Sequence, residues 1–256
     1  MKSTLMSRLS RLPNWAQSTI QLVCIFAVLT VAKMAIAEPF YVPSGSMEPT
    51  LLIGDELIAT KYPYGYSSAS LPASIVLPAT RRLFGALPER GDIVVFRWPG
   101  DRSQVWVKRV VGLPGDRIAL RSGRLWINGK EVPLVRDGIG QAEMENGSTI
   151  PAPRFIETLP GDRPHTILKL TKDSLYDNMS EVVVPPDHLF VMGDNRDNSA
   201  DSRVPLSQGG VGMLPAENLV GRVNALVGSW DLTVASQPIW SWPSGLRLSR
   251  FFTAVR

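Results

Sequence analysis

The sequence predicts a mainly β fold preceded by one transmembrane helix. Three observations lead there. A 23-residue, largely apolar stretch occupies residues 15–37, long enough to cross a hydrocarbon core of about 30 Å. Behind it come short β-branched runs rather than long amphipathic ones. The 21 Gly and 21 Pro that punctuate the chain favour short elements joined by turns. A chain of 256 residues can bury one large core, or one domain carrying an insertion.

Taken in order, residues 1–14 are a basic tail and 15–37 the expected membrane anchor. Lys2, Arg8 and Arg11 place the tail in the cytoplasm by the positive-inside rule. Trp15 suits one interface, and Lys33 can snorkel to the other. A cleaved secretory signal is the competing reading, because Ala35-Ile36-Ala37 fits a small-x-small processing site. Either way residues 38–256 lie outside the cytoplasm. The net charge sits at this end too. Residues 1–37 carry four basic side chains and no acid, and the rest holds 27 − 4 = 23 basic against 23 acidic. A folded part with no basic excess excludes nucleic acid as a partner. Cys24 is the single cysteine, so no intrachain disulfide and no cysteine-based metal site can form.

Residues 38–60 begin extended, broken by Pro39 and Pro43, and pass through a Ser-Gly-Ser turn. Residues 61–89, rich in Ser, Pro, Ala and Tyr, are expected as a long surface loop. Strands are expected at 90–98 and 104–111, then a hairpin at 117–121 and 124–127 with Asn128-Gly129 after it. Residues 136–180 read as polar and irregular. Strand pattern returns at 181–192, a dense polar loop follows at 193–203, and 217–228 form the last strand.

Several chemistries lack their residues. There is no Gly-x-Ser-x-Gly, no Ser-x-x-Lys and no His-Glu-x-x-His. The two histidines, His165 and His188, favour structural roles. Residues 38–256 hold five lysines: Lys61, Lys108, Lys130, Lys169 and Lys172. Lys61 and Lys130 sit beside turn residues and are expected in water; Lys169 and Lys172 fall in a polar segment. Lys108 lies inside Val105-Trp106-Val107-Lys108-Arg109-Val110-Val111. Strand alternation puts it on the opposite face from Arg109. If its face is the buried one, desolvation favours the neutral amine, which is a competent base. An edge strand with both side chains wet is the plain alternative. Around Ser46 the chain reads Pro43-Ser44-Gly45-Ser46-Met47-Glu48-Pro49-Thr50-Leu51. By itself this is a turn; beside an apolar lysine it fits a Ser–Lys pair, with the Ser46 N–H and the Ser44 hydroxyl as oxyanion donors.

The segments PSGSMEPTL, RGDIVVF, VKRVVGLPGD and GDNRDNSADSR, in this order after an apolar span, resemble the motif boxes of type I signal peptidases (leader peptidases). The likeness covers residues 38–60, 90–117 and 189–250, the last with WPSGLRLSR, and implies a β catalytic domain over 38–256 with an inserted β-rich subdomain over about 117–187. It implies Ser46 as nucleophile, Lys108 as general base and Ser44 with Ser46 as the oxyanion hole. Ser199 would orient the Lys108 amine, with Asp201 and Arg203 as a supporting ion pair. Phe40, Val42, Met47, Leu51, Trp106, Val107 and Val191 would line the substrate pockets. The resemblance further implies a single-pass protein of the bacterial inner membrane, its catalytic domain periplasmic and facing the outer leaflet. It would cut signal peptides of exported preproteins after small residues at the first and third positions, with no metal or other cofactor. Trp106 is bulkier than the tyrosine expected there. Two rivals stay open: an inactive membrane-anchored scaffold, which would tolerate Ser46→Ala, and a Ser–Lys self-cleaving repressor, whose DNA-binding domain would have to stand where the apolar span is.

Overall fold

The structure is a computed structural model describing residues 13–72, 75–144, 147–171 and 174–255. The expected tail with Lys2, Arg8 and Arg11 lies outside the described residues, as does Lys172. One helix, α1, runs over Asn14–Ile36; the side chains at 14 and 27–35, Lys33 and Ala35 among them, are outside the description. Among the described residues no helix is long and apolar enough to cross a membrane.

Fourteen strands follow: β1 (Ala37–Tyr41), β2 (Asp55–Thr60), β3 (Ile93–Arg97), β4 (Val105–Gly112), β5 (Arg117–Arg121), β6 (Arg124–Ile127), β7 (Lys130–Glu131), β8 (Leu134–Glu143), β9 (Thr149–Leu159), β10 (Arg163–Leu168), β11 (Met179–Val183), β12 (His188–Met192), β13 (Leu214–Pro215) and β14 (Leu219–Ser229). The architecture is mainly β, as expected. The largest sheet has seven strands in the order β1-β2-β14-β3-β4-β12-β13, and β5–β11 supply a four-stranded sheet, β11-β5-β6-β7, and a three-stranded one, β10-β9-β8.

Both faces of the seven-stranded sheet are covered. Along β3, Ile93 and Val95 join one core with Val42, Met47, Leu51 and Val223. Val94 and Phe96 point the other way, into a core with Val110, Val191 and Leu219. That is why β3 reads as an unbroken apolar run instead of alternating. β4 is hydrogen-bonded to β3 over 105–109 and to β12 over 109–112, and with Lys108 and Arg109 both buried the alternative in which both side chains are wet is ruled out.

Three expectations need correcting. Residues 136–180 are not irregular chain: they hold most of β8, all of β9 and β10 and the start of β11. β9 carries Pro151 and Pro153 and pairs with β8 across a register shift between Arg136 and Ile139; prolines and a bulge hide the period-two pattern. The strand expected over 181–192 is two, β11 and β12, parted at Pro185-Pro186. Lys61 is fully buried, not solvated: its Nζ lies 2.9 Å from Glu38 Oε2 and donates to Ser70 O at 2.7 Å. The 61–89 segment is tied to the sheet by Arg97, whose guanidinium donates to the carbonyls of Leu71, Pro72 and Ile75.

Candidate active site

Ser46 sits in a 3-10 turn, Gly45–Met47. Ser44 precedes it in extended conformation, φ −137° and ψ 152°. Asn195 clamps the turn: its N–H donates to Ser46 O at 3.1 Å and its Nδ2 to Gly45 O at 3.1 Å. The packing is tight enough to require glycine at 193, where a Cβ would stand 2.2 Å from Ser199 Oγ and 2.5 Å from Ser46 O. As the start of a 3-10 turn, the Ser46 N–H has no intrahelical acceptor.

Lys108 projects from β4 with only 4% exposure. Its Nζ and Ser46 Oγ are 2.6 Å apart. Burial pulls the amine down to about 8, against the opposing attraction of Asp201 and Asp194 and with a small push from Arg203. Behind it, Arg203 grips Asp201 through Nε at 2.9 Å and Nη2 at 2.8 Å, and Gly193 N donates to Asp201 Oδ2 at 3.0 Å. Burial alone would raise the Asp201 carboxyl, but the Arg203 guanidinium outweighs it and holds it below the usual range. On the other face of β4, Arg109 donates twice to Asp194, at 2.8 and 2.7 Å. Arg109 and Arg203, the buried cations flanking Lys108, each have a bidentate carboxylate partner. Lys108 faces a hydroxyl and can shed its proton without stranding a partner. Among the described residues no cluster of His, Cys, Asp or Glu is arranged to hold a metal ion.

Ser46 and Lys108 lie on the wall of an open cleft of about 590 Å³, flanked by Phe40 and Tyr41 of β1 and by Val105, Trp106 and Val107 of β4. Trp106 stacks on Trp98, centroids 5.1 Å apart and planes within 5°. Trp98 is pinned in turn by Nε1 donating to Gly210 O at 2.8 Å.

Residues 13–230 match the family model for signal peptidases, peptidase S26. The chain belongs to this family. Signal peptidase I from Rickettsia typhi is 38% identical over 247 residues, 89% of each chain. The corresponding protein of Rickettsia canadensis is 36% identical over 247 residues, again 89% of each. A signal peptidase I crystal structure from Enterococcus faecalis is 24% identical and covers 54% of this chain and 97% of that one, with a TM-score of 0.31. Membership of the S26 family with such relatives makes the chain a serine endopeptidase of the signal peptidase I type.

Within this signal peptidase framework, the structure brings Ser44, Ser46 and Lys108 together, the two hydroxyls 3.4 Å apart, and it pairs Asp201 with Arg203. It departs from the expected site in two ways. Among the described residues the buried Ser199 Oγ has no hydrogen-bond partner, so the bond expected to the Lys108 amine is not made; its side chain is turned against Gly193. Of the seven expected pocket residues, Phe40, Trp106 and Val107 line the cleft. Val42, Met47, Leu51 and Val191 are at most 1% exposed and belong to the two cores beneath it. Val42 is turned inward between Tyr41 and Pro43, which line the cleft; Met47 and Leu51 lie in and just after the 3-10 turn, and Val191 sits in β12 between the buried Phe190 and Met192. Sequence reasoning missed Leu57, Val95, Asn198 and Ala200 as lining residues, and Asn195 as the clamp. The adjacent motif letters were the available signal, but only the fold shows which way each points.

Proposed function

We propose that this chain is a membrane-anchored endopeptidase that removes signal peptides from exported preproteins, using Ser46 as nucleophile and Lys108 as general base. The observation that carries it is the 2.6 Å Ser46–Lys108 contact on a buried amine held near 8. In its neutral form Lys108 accepts the Ser46 hydroxyl proton as Oγ attacks the scissile carbonyl. The Ser46 N–H and the Ser44 hydroxyl receive the oxyanion. Lys108 hands its proton to the departing amine, and water then releases the acyl group with Lys108 again as base. Asp201 and Arg203 fix the electrostatic surroundings of that amine, and Ser199 reaches it by a rotamer change once substrate is bound.

The peptide binds extended along the free edge of β1, an added strand, with small residues before the cut because Phe40, Val107 and the stacked Trp106 leave shallow room. Residues 15–37 anchor the protein, behind the basic residues of a cytoplasmic tail: the helix Asn14–Ile36 has 23 residues and extends about 35 Å. Phe40 lies four residues beyond Ile36, which holds the cleft close to the outer face of the inner membrane, with 38–256 as the periplasmic catalytic domain and 117–187 as its inserted subdomain. The chain's own Ala35-Ile36-Ala37 is kept from the cleft: Ala37 pairs with Thr60 in the sheet, and Lys61 N donates to Ile36 O at 2.9 Å.

The test is processing of a purified preprotein by the detergent-solubilised chain, with the mature N-terminus read by mass. Cleavage after a small-x-small triplet supports the reading, and intact preprotein refutes it. Deleting residues 1–36 should move the chain from the membrane to the soluble fraction; retention in the membrane would remove the anchor.

A further inference from the structure

A second cavity, of about 510 Å³, shares Pro43, Ser44, Ser46 and Asn198 with the cleft, and its other wall includes Ile53, Glu143, Met144, Leu232 and Thr233. A peptide bond lying at Ser46 has chain on both sides of it. The cleft with Phe40, Trp106 and Val107 accounts for the residues before the cut, and the residues after it need their own path from the same serine. We propose that this second cavity holds the residues that follow the scissile bond, and that Glu143 makes it favour cationic over anionic side chains there. The inference rests on the reading of Ser46 as nucleophile.

Glu143 is the last residue of β8, in the three-stranded sheet. It abuts the nucleophile's turn. Its N–H donates to the Glu48 carboxylate at 3.1 and 3.2 Å, and its carbonyl oxygen lies 3.3 Å from where a Cβ on Gly45 would stand. Its own carboxylate is half-buried on the cavity wall and makes no hydrogen bond or ion pair among the described residues. The neighbouring charges are already engaged. Asp231 accepts from Thr233 N at 2.9 Å and Oγ1 at 2.7 Å, and Arg247 donates to Ile53 O at 2.7 Å. Glu143 is the one charged side chain among the described residues lining this cavity, beside Asn198, Ile53, Met144, Leu232 and Thr233; with only the longer-range attraction of Arg247 on it, its carboxylate suits a positive charge arriving on the ligand.

The reaction supplies one. When the C–N bond breaks, the nitrogen takes the proton carried by Lys108 and leaves as an amine. That amine then gains a solvent proton and becomes the ammonium group of the mature chain. Glu143 is placed to hold that product and to read the next side chains. This assigns part of the inserted segment a place in substrate recognition.

The experiment compares peptides identical before the cut, carrying Lys or Glu at the second position after it, and a short substrate whose leaving group is a simple ester with no residues beyond the cut. The intact chain is expected to cleave the Lys peptide about fivefold faster in kcat/KM than the Glu peptide, the discrimination one partly exposed charge pair can supply. Glu143→Gln should bring that ratio to about one, and Glu143→Lys should reverse it. Leu232→Trp, which fills the cavity, should lower kcat/KM for the long peptides about tenfold more than for the ester. An unchanged Lys-to-Glu ratio in Glu143→Gln, or equal losses on long and short substrates in Leu232→Trp, overturns the inference. Activity retained in Ser46→Ala would instead defeat the reading it rests on.

Discussion

The titration of Lys108 can be worked through from the structure. With the amine held at about 8, about one molecule in ten carries the neutral base at pH 7; at the ordinary 10.5 it would be about one in three thousand. Burial therefore gives roughly 300-fold more competent enzyme at neutral pH. The rate should follow the neutral fraction. We expect kcat/KM, which reports the free enzyme, to rise about tenfold per pH step below 7, bend near 8 and level off by about 9. The assay is steady-state cleavage of a peptide spanning a small-x-small site, from pH 6 to 10, with circular dichroism confirming the fold throughout. A flat profile between pH 6 and 9 would refute the assignment of Lys108 as base. The same burial fixes a stability effect. The folded state prefers the unprotonated amine, so unfolding takes up a proton between pH 8 and 10.5, and stability rises with pH through that window. Lys108→Met should be inactive and, below pH 8, more stable than the natural chain by about 3 kcal/mol, the gap closing as pH approaches 10.5. Equal urea midpoints at pH 7 and pH 10 would show that the amine is not desolvated.

Three further outcomes follow from named contacts. Lys108→Arg keeps the charge but offers no base at physiological pH, and should abolish cleavage; wild-type rates would remove the dyad. Arg109→Met strands the buried Asp194 carboxylate and should destabilise the fold by about 3–5 kcal/mol in urea melts, with most of the loss recovered when Asp194→Leu is added; additive losses would show that the pair is not coupled. Glu48 is pushed up to about 7 by burial, eased by the Glu143 N–H. Its protonated form suits the fold, so its contribution fades as pH rises from 4.5 through 7, and Glu48→Gln should gain about 2 kcal/mol over the natural chain at pH 8 but little at pH 4. An identical gain at both pH values would contradict that.

The sequence made the central strands legible because burial on both faces makes β3 apolar up to its terminal Arg97 and leaves Lys108 and Arg109 as the charged residues of β4, so that pair stands out. The Asn128-Gly129 turn and the β5–β6 hairpin were legible for the local reason that such turns demand those residues. β8, β9 and β10 were not. Their faces are largely wet, and the prolines of β9 mask strand periodicity. Lys61 was misjudged because its neighbours in sequence are turn residues, while its partner Glu38 comes from the strand paired beside it. The substrate-pocket residues divide along the same line. Phe40, Trp106 and Val107 face the cleft, whereas Val42, Met47, Leu51 and Val191 turn into the cores. Motif letters identify a neighbourhood, and side-chain direction within it depends on turn geometry that only the assembled sheet determines.

The most direct test of the Ser46–Lys108 dyad sets Ser46→Ala and Lys108→Ala beside the natural chain on one preprotein, each variant shown to be folded by its melting curve. The account predicts that both variants leave the preprotein intact while the natural chain trims it after a small-x-small triplet. Cleavage at the natural rate by either variant would contradict it and return both residues to a structural role.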